Sequence, residues 1–249
     1  MNVEEAVHGR ILVVTMNREA KRNALNPEIT AGIDAAMNRL EDDPELWCGI
    51  LTGGPTVFCA GADLTIGPGP PTERGGLVGL ITRQRSKPLI AAVEGYAVGG
   101  GMELVLSCDL VVAATNARFG LPEVKRGLMA DFGGAFRTAV SLPPNVAREM
   151  LLTGDDLPAE RAERLGFVNA LAEPGNALDR ALELAARICA NAPLAVQASL
   201  ATVAAVTRPD ETDLWQRSDA AHERLLRTDD MREGVEAFFA KRSPNWKGC

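Results

Sequence analysis

The feature that most constrains the fold is an alternation of short apolar runs with helical segments, which continues to about Gly133 and then stops. Residues 10–16 form a run rich in β-branched side chains, and residues 26–40 follow with apolar side chains at helical spacing. Asn26 and Pro27 stand where a helix cap and a first helical residue are expected. Buried strands that alternate with helices are typical of α/β proteins whose largely parallel sheets are covered on both faces. The sequence therefore predicts an α/β body.

The other elements of this body, and the segment after it, follow from the same periodicities. Strands are predicted over residues 48–52, 57–60, 88–93 and 109–114, and a helix over residues 102–107. After the body, helices are predicted over residues 144–152, 159–165, 177–190, 194–206, 212–226 and 230–240. A chain of 249 residues suits one large domain, or one domain with a smaller helical appendage.

Charge and hydropathy argue against several classes of partner. The balance of 26 Lys and Arg against 33 Asp and Glu gives a formal net charge of -7, which disfavours binding to nucleic acid or to anionic lipid. The most apolar stretch, residues 88–106, is interrupted by two glutamates and four glycines, so we expect no transmembrane helix. The first residues also lack the basic-then-apolar pattern of a secretory signal.

Cysteine and histidine usage narrows the chemistry. Five cysteines, an odd number without a CxxC pair, indicate neither a disulfide framework nor a zinc site, and they fit a cytoplasmic protein. The two histidines, His8 and His222, lie in polar surroundings near the chain ends, which argues against Ser-His-Asp, Cys-His and polyhistidine metal sites. We therefore expect acid–base chemistry from carboxylates or tyrosine, with no metal.

Two glycine-bearing turns, over residues 58–64 and 95–103, each follow an apolar run. A glycine run that opens a helix leaves free N–H groups at the positive end of the helix dipole, where an anion can bind, although tight strand–helix packing explains such a run about equally well. Neither turn fits G-x-G-x-x-G, and no G-x-x-x-x-G-K-[ST] occurs. Rossmann and P-loop sites are therefore not expected.

The order of several motifs is more informative than any one of them. Residues 16–25 read MNREAKRNAL, residues 58–64 FCAGADL, residues 99–109 GGGMELVLSCD, residues 119–123 FGLPE, and residues 232–244 REGVEAFFAKRSP. Together they resemble the crotonase family, also called the enoyl-CoA hydratase/isomerase superfamily. The resemblance covers essentially the whole chain.

The resemblance implies an architecture and an assembly. It implies a crotonase-like spiral of ββα units over residues 1–190, and a helical C-terminal region over residues 191–249 used in trimer formation, often as a dimer of trimers. Apolar side chains in the predicted helices after about Asn191 agree with a homotrimer or hexamer, because a small appendage could not bury them all against its own body.

The resemblance also implies chemistry on an acyl-CoA thioester through an enolate-like intermediate, with no metal or redox cofactor. The family's two backbone N–H donors, which stabilise the developing oxyanion, correspond to Ala62 and Gly100. Its two catalytic glutamates correspond to Glu103, as the base for water, and Glu123, as the acid for the α-carbon. Coenzyme A is part of the substrate.

The CoA moiety is expected against the first motif and the turn at residues 58–64. Lys21 and Arg22 would approach its phosphates, although a solvated charge pair explains them about equally well. The full set of residues implied in CoA or substrate contacts near these motifs is Lys21, Arg22, Asn23, Ala24, Ala60, Gly61, Asp63 and Leu64. Phe239 and Lys241 would close the pocket from a neighbouring part of the assembly.

One departure from the family pattern concerns the segment after the second glutamate. Many hydratases of the family have a Gly-x-x-Pro-Gly-x-Gly-Gly turn there, whereas residues 127–134 put Ala130 for the proline and Asp131 for the glycine. An aspartate here resembles branches such as carnitinyl-CoA dehydratases and certain ring-related isomerases. Asp131 could attract a cationic acyl group, shuttle a proton in an isomerisation, or cap the helix that starts near Gly133.

The resulting interpretation is an enoyl-CoA hydratase that adds water reversibly to a 2-enoyl-CoA thioester. Within the enzyme class, the alternatives are a double-bond isomerase that uses one carboxylate and a carnitinyl-CoA dehydratase-like enzyme. Outside that class, the alternative is an acyl-CoA-binding or RNA-binding family member without turnover. The net charge disfavours RNA, and the paired glutamates disfavour loss of catalysis.

Overall fold

The computed structural model describes residues 2–207 and 210–249. The strands are β1 Val3–His8, β2 Ile11–Met16, β3 Cys48–Thr52, β4 Leu89–Val93, β5 Tyr96–Val98, β6 Leu110–Ala114, β7 Arg118–Gly120, β8 Leu157–Pro158 and β9 Ala170–Ala172. The α-helices are α1 Pro27–Asp42, α2 Gly100–Leu106, α3 Gly134–Ser141, α4 Pro144–Thr153, α5 Ala159–Arg164, α6 Ala177–Cys189, α7 Pro193–Thr207, α8 Thr212–Leu225 and α9 Asp229–Phe239. Short 3-10 helices span Glu19–Lys21, Leu77–Gly79 and Pro122–Arg126.

The larger sheet has six strands in the order β1-β2-β3-β4-β6-β9 and is parallel except for the β1–β2 pair. Successive residues of β2 point to opposite faces, so Leu12 and Val14 join the core that contains α1, whereas Ile11 and Val13 join the core that contains α6. The sheet is therefore covered on both faces, and the predicted α/β class is confirmed.

Most of the predicted elements are present within one or two residues of their expected bounds, but residues 57–60 do not form a strand. In that segment Cys59 makes only an isolated bridge to Ala97. The buried amide of Asn23 donates hydrogen bonds to the carbonyl oxygens of Val57 and Phe58, at 3.0 and 3.1 Å. These acceptors are thus satisfied by a side chain instead of by a neighbouring strand, so the strand prediction was wrong.

A second, three-stranded sheet of order β5-β7-β8 brings distant segments to one edge. β5 and β7 are parallel, and their last residues, Val98 and Gly120, are register partners. Because the carboxyl ends of parallel strands lie at the same edge, the glycine run that opens α2 and the segment that leads to Glu123 emerge side by side.

The helical C-terminal region is attached to the body through α3. The guanidinium of Arg137 forms a 2.7 Å ion pair with Glu211, and it donates hydrogen bonds to the carbonyl oxygen of Ile81 and to Oγ of Ser107. Phe136 packs edge-on against Trp215 of α8, with ring centroids 5.1 Å apart. These contacts fix α8 against the body.

Within the described residues, no single helix is long and apolar enough to cross a membrane. Only α6 and α7 taken together reach the required length and composition, and a bend of 107° separates them.

The ion pair between Arg137 and Glu211 should contribute measurably to stability. Arg137→Met removes the guanidinium and leaves the Glu211 carboxylate largely buried, so we expect the free energy of unfolding to fall by about 3 kcal/mol or more. Arg161→Met is the matched control, because it breaks an exposed pair with Glu149 and should cost about 1 kcal/mol or less. Urea titrations measure both losses in the free energy of unfolding. Equal losses would contradict the conclusion that the buried ion pair between Arg137 and Glu211 contributes more to stability than the exposed one.

Candidate active site

The two glycine-bearing turns predicted from the sequence lie against each other. Cys59 and Ala97 form an isolated bridge between them, and Gly61 lies against the start of α2. Gly61 has a φ of +94°, and a Cβ on it would lie 3.0 Å from the carbonyl oxygen of Val98 and 3.5 Å from the backbone nitrogen of Gly100. Glycine is therefore required here for both the backbone conformation and the close approach.

This contact brings the two predicted oxyanion donors close together. A Cβ on Gly100 would lie 3.6 Å from the backbone nitrogen of Ala62. Within residues 2–207 and 210–249, the N–H groups of Ala62 and Gly100 donate no hydrogen bond. Two neighbouring unpaired N–H groups can stabilise negative charge on an oxygen atom placed between them.

Glu103 extends from α2 and is buried. Its Oε1 accepts a hydrogen bond from the backbone N–H of Gly134, at 2.9 Å. Gly134 permits this approach, because a Cβ on it would lie 2.8 Å from the same Oε1 atom. The loop from Ala130 to Gly134 therefore holds the Glu103 carboxyl in place.

Glu123 lies in the Pro122–Arg126 helix that follows β7. Its Oε1 approaches Gly99 so closely that a Cβ on that glycine would be 3.0 Å away. Its Oε2 is buried and has no hydrogen-bond partner among the described residues. The structure thus brings Glu123 to the glycine run that precedes Glu103.

Burial and mutual repulsion raise the pKa of these carboxyl groups. For Glu103, burial raises the pKa well above its ordinary value and the charge of Glu123 adds to this, whereas the N–H groups of Gly134 and Phe132 oppose it. Burial raises the pKa of Glu123 to about 7, and the charge of Asp131 adds to this. Two carboxyl groups that repel each other lose their protons in separate steps, so the pair holds one proton near neutrality.

Asp131 does not cap α3, so that hypothesis was wrong. The N-terminal capping position is Gly133, in the left-handed conformation, and no side chain caps this helix end. Instead, Oδ2 of Asp131 lies 3.2 Å from Nδ1 of His222 on α8. Burial raises the pKa of Asp131, whereas the charge of His222 opposes the rise.

His222 is the residue of this region that sequence reasoning missed, because its polar neighbours in the chain suggested an exposed position. Trp215, Ser218 and His222 recur at helical spacing on the face of α8 that is turned toward the body. Ser218 Oγ contacts the carbonyl oxygen of Asp131, at 3.4 Å. This spacing was the one signal that could have placed His222 beside the loop.

The residues predicted to bind CoA fall into two groups. The side chains of Lys21 and Arg22 are exposed, so they are accessible to phosphates, and Leu64 is 40% exposed. Ala24 and Ala60 are half-buried beside them, and the N–H of Ala60 donates to the carbonyl oxygen of Arg22. Their contacts with CoA remain predictions.

Asn23 and Asp63 have structural partners. Asn23 is fully buried, and its amide also donates to the carbonyl oxygen of Gly53, at 2.7 Å. Asp63 pairs with Arg18 at 2.8 Å, and that arginine also donates to the carbonyl oxygen of Ala24. Arg18 was not among the predicted residues, and it ties the first motif to the turn at residues 58–64.

Phe239 and Lys241 lie at the C-terminal end of the chain and are exposed. Helix α9, which ends at Phe239, packs on the Pro122–Arg126 helix, where Gly234 comes so close that a Cβ on it would lie 2.4 Å from the carbonyl carbon of Arg126. The predicted closure of the CoA pocket by Phe239 and Lys241 involves a neighbouring subunit, so it stays a prediction.

Comparison with known proteins identifies the class. The family model described as enoyl-CoA hydratase/isomerase matches residues 6–249. The enoyl-CoA hydratase EchA19 of Mycobacterium tuberculosis is 39% identical, over 96% of this chain and 94% of that protein. The (E)-benzylidenesuccinyl-CoA hydratase of Thauera aromatica is 40% identical over the full length of both chains.

The structural comparison agrees. A carnitinyl-CoA hydratase from Mycobacterium avium superposes with a TM-score of 0.94 at 39% identity, over 100% of this chain and 99% of that one. The chain belongs to the enoyl-CoA hydratase/isomerase family. The predicted family, the crotonase-like α/β fold and the enoyl-CoA hydratase type of function are thereby confirmed.

The raised pKa of Glu123 predicts that this residue destabilises the protein at high pH. The folded protein binds this proton more tightly than the unfolded chain, so stability falls as pH rises from about 4.5 to about 7. We therefore expect Glu123→Gln to be more stable than the wild type near pH 8, by about 3 kcal/mol, and equally stable near pH 4. Urea unfolding at both pH values measures this difference.

Glu160→Gln is the control for this experiment, because Glu160 is exposed in the first turn of α5. Its effect should be small and similar at both pH values. A gain for Glu123→Gln that did not change with pH would contradict the burial argument.

Proposed function

We propose that this protein catalyses the reversible addition of water to a 2-enoyl-CoA thioester, with Glu103 as the base and Glu123 as the acid. The observation that carries this proposal is the presence of two unpaired N–H groups, those of Ala62 and Gly100, beside two buried carboxyl groups. Such an arrangement suits a reaction that develops negative charge on one oxygen atom and moves two protons.

In this mechanism the thioester oxygen lies between the N–H groups of Ala62 and Gly100. Glu103 accepts a proton from water as the water oxygen forms a bond to the β-carbon, and the electron pair of the double bond moves toward the thioester oxygen. Glu123 then gives its proton to the α-carbon. One oxyanion donor is typically worth about 10² to 10³ in rate, and a placed acid or base about 10² to 10⁴.

The hydrogen bonds of the two glutamates support these roles. The backbone N–H of Gly134 donates to Glu103, which favours the ionised form that a base requires. Oε2 of Glu123 accepts no hydrogen bond from the described residues, which leaves this atom free to carry a proton to the substrate. Burial raises the pKa of Glu123 to about 7, so this group can hold a proton near neutrality.

A second candidate is a double-bond isomerase or a carnitinyl-CoA dehydratase-like enzyme. The observation that favours it is a third partly buried carboxyl, Asp131, whose charge raises the pKa of both glutamates. Such a group could exchange a proton with an acyl carbon farther from the thioester.

The proposed activity needs no metal or redox cofactor, and CoA enters as part of the substrate. The five cysteines, an odd number without a CxxC pair, support a cytoplasmic location.

The two-carboxylate mechanism predicts large losses in two conservative variants. Glu103→Gln and Glu123→Gln should each lower the hydration rate of a good enoyl-CoA substrate by at least about a hundredfold, because each removes an acid–base group while keeping the side-chain shape. The loss of enoyl thioester absorbance measures the rate, and binding of a saturated acyl-CoA should largely survive. Near wild-type turnover in both variants would exclude this mechanism.

We also propose that residues 191–249 serve in assembly around a core of residues 1–190, as a homotrimer or hexamer. Helix α7 has no buried residue, and Leu194, Val203 and Val206 are 77%, 58% and 78% exposed in the single chain. An apolar helix without a single buried residue is typical of a surface covered by another subunit.

Light scattering tests this assembly directly. We expect a mass that is a multiple of three chains, and we expect Leu194→Asp with Val206→Asp to reduce it, because two buried charges would oppose association. Glu160→Asp, a conservative change on α5, is the control and should leave the mass unchanged. A stable wild-type monomer at micromolar concentration would contradict the proposal.

A further inference from the structure

The entry loop, residues 131–134, leads into α3 and is held from two sides. On one side, the backbone N–H of Gly134 donates to Oε1 of Glu103 at 2.9 Å, and the N–H of Phe132 also favours the ionised form of that carboxyl group. On the other side, positions 131 and 133 contact α8. The loop therefore connects the C-terminal helical region to the base of the proposed reaction.

Three side chains on one face of α8 make the contacts with the entry loop. The ring of Trp215 lies against Gly133, where a Cβ would come within 3.2 Å of it. Ser218 Oγ lies 3.4 Å from the carbonyl oxygen of Asp131. Nδ1 of His222 lies 3.2 Å from Oδ2 of the same aspartate. His222 is the one of the three that contacts a charged group.

The imidazole of His222 acts on the protein and not on a substrate. Its Nδ1 is enclosed and has no hydrogen-bond partner among the described residues. An enclosed polar atom without a partner is unfavourable and calls for an explanation, such as a role in catalysis. Attraction between a carboxylate and an imidazolium depends on their separation and needs no hydrogen-bond alignment, so the contact with Asp131 supplies that explanation.

The carboxyl group of Asp131 interacts with charges on three elements. Its charge raises the pKa of Glu103 on α2 and of Glu123 on the 3-10 helix after β7. On α8, His222 attracts it and Asp219 repels it. Of these four side chains, only that of His222 can be cationic. His222 therefore determines where the third carboxyl group of the site is held relative to the two glutamates.

We propose that His222 is a positioning residue of the active site: by holding Asp131, it keeps the entry loop where the N–H of Gly134 reaches Glu103. This inference rests on the proposed hydratase function and adds to it a residue of the C-terminal helical region. Loss of the imidazole should let the loop move away from Glu103, so the base would be less well placed and less readily ionised. Binding of CoA should be unaffected, because the residues expected to contact CoA lie on other segments.

The first experiment compares the wild-type protein with His222→Leu, which fills similar space and removes the imidazole. For a good enoyl-CoA substrate, we expect kcat to fall by about tenfold or more while KM changes by less than about twofold, because the proton acceptor is displaced and substrate binding is kept. The acidic limb of the kcat profile should move to higher pH, since Glu103 ionises less readily without the N–H of Gly134. A rise in KM alone, or a fall in kcat with an unchanged pH profile, would overturn the proposal.

Matched variants separate the contact from the bulk of the side chain. His222→Asn restores a donor near the position of Nδ1 and should recover most of the lost kcat and the wild-type acidic limb, whereas equal impairment of the Asn and Leu variants would contradict the proposal. His222→Met, which also lacks a donor and adapts to irregular space, replaces the leucine variant if that one does not fold, with the same expected results. Glu223→Gln, at an exposed neighbouring position on α8, is the control and should keep the wild-type kcat, KM and pH profile.

A double-mutant cycle tests whether His222 acts through Asp131. In the Asp131→Asn background, His222→Leu should lower kcat by less than about a further twofold, because the carboxylate through which it acts is already gone. Losses that multiply fully in the double variant would show that the two side chains act separately, and the proposal would then be wrong.

The two proposals fail in different ways. If the wild-type protein hydrates no enoyl-CoA, the proposed function is wrong. The positioning role is still tested, since NMR titration of the Glu103 carboxyl carbon needs no turnover: its pKa should be higher in His222→Leu by about one unit, the effect of losing one hydrogen bond to a charged group. If the wild-type protein is active and His222→Leu keeps its kcat, pH profile and Glu103 pKa, only the positioning role is wrong.

Discussion

The buried amide of Asn23 is the contact on which the rest of the site depends. It bonds to the carbonyl oxygens of Gly53, Val57 and Phe58, and its oxygen accepts from the N–H of Arg18. One side chain therefore satisfies the carbonyl oxygens of Val57 and Phe58, which a neighbouring strand would otherwise pair, and leaves the chain free to turn. That turn carries the N–H of Ala62 to the start of α2, beside Gly100, as the proposed oxyanion site requires.

Whereas the Asn23 amide stabilises the local fold, the ionised carboxyl groups of Glu103 and Glu123 destabilise it. Burial raises the pKa of Glu103 and Glu123, so ionising them in the folded protein is unfavourable. The glycines at positions 99 and 134 make this burial possible, since a Cβ at either would come within about 3 Å of a carboxyl oxygen. Stability is thus lower at the place where the proposed proton transfer requires a neutral carboxyl beside an ionised one, as expected for a site whose groups serve a reaction.

The elements that could be predicted most closely from the sequence are those whose side chains are buried at every position. Strands β3 and β4 are buried at every position and appear in the sequence as continuous apolar runs, so their bounds could be predicted closely. Strand β1 was missed because only Val3 of its six residues is buried at the edge of the sheet. The glutamates could be singled out only through the order of motifs, because nothing local distinguishes a buried glutamate from an exposed one. The contact between Asp131 and His222 joins distant parts of the chain, so the spacing along α8 could turn His222 toward the body but could not identify Asp131 as its neighbour.

The C-terminal helices serve two purposes that can be separated physically. Arg137 and Glu211 anchor the start of α8 to the body within one chain, so the position of His222 beside Asp131 does not depend on a second subunit. Phe239 is 57% exposed, and α7 has no buried residue, so the proposed trimer or hexamer would cover the surfaces around them. The contact between Asp131 and His222 is made within the single chain, whereas the proposed closure over CoA by Phe239 and Lys241 would require the assembly. On this proposal, weakening the assembly should lower the affinity for CoA while leaving the contact between Asp131 and His222 intact.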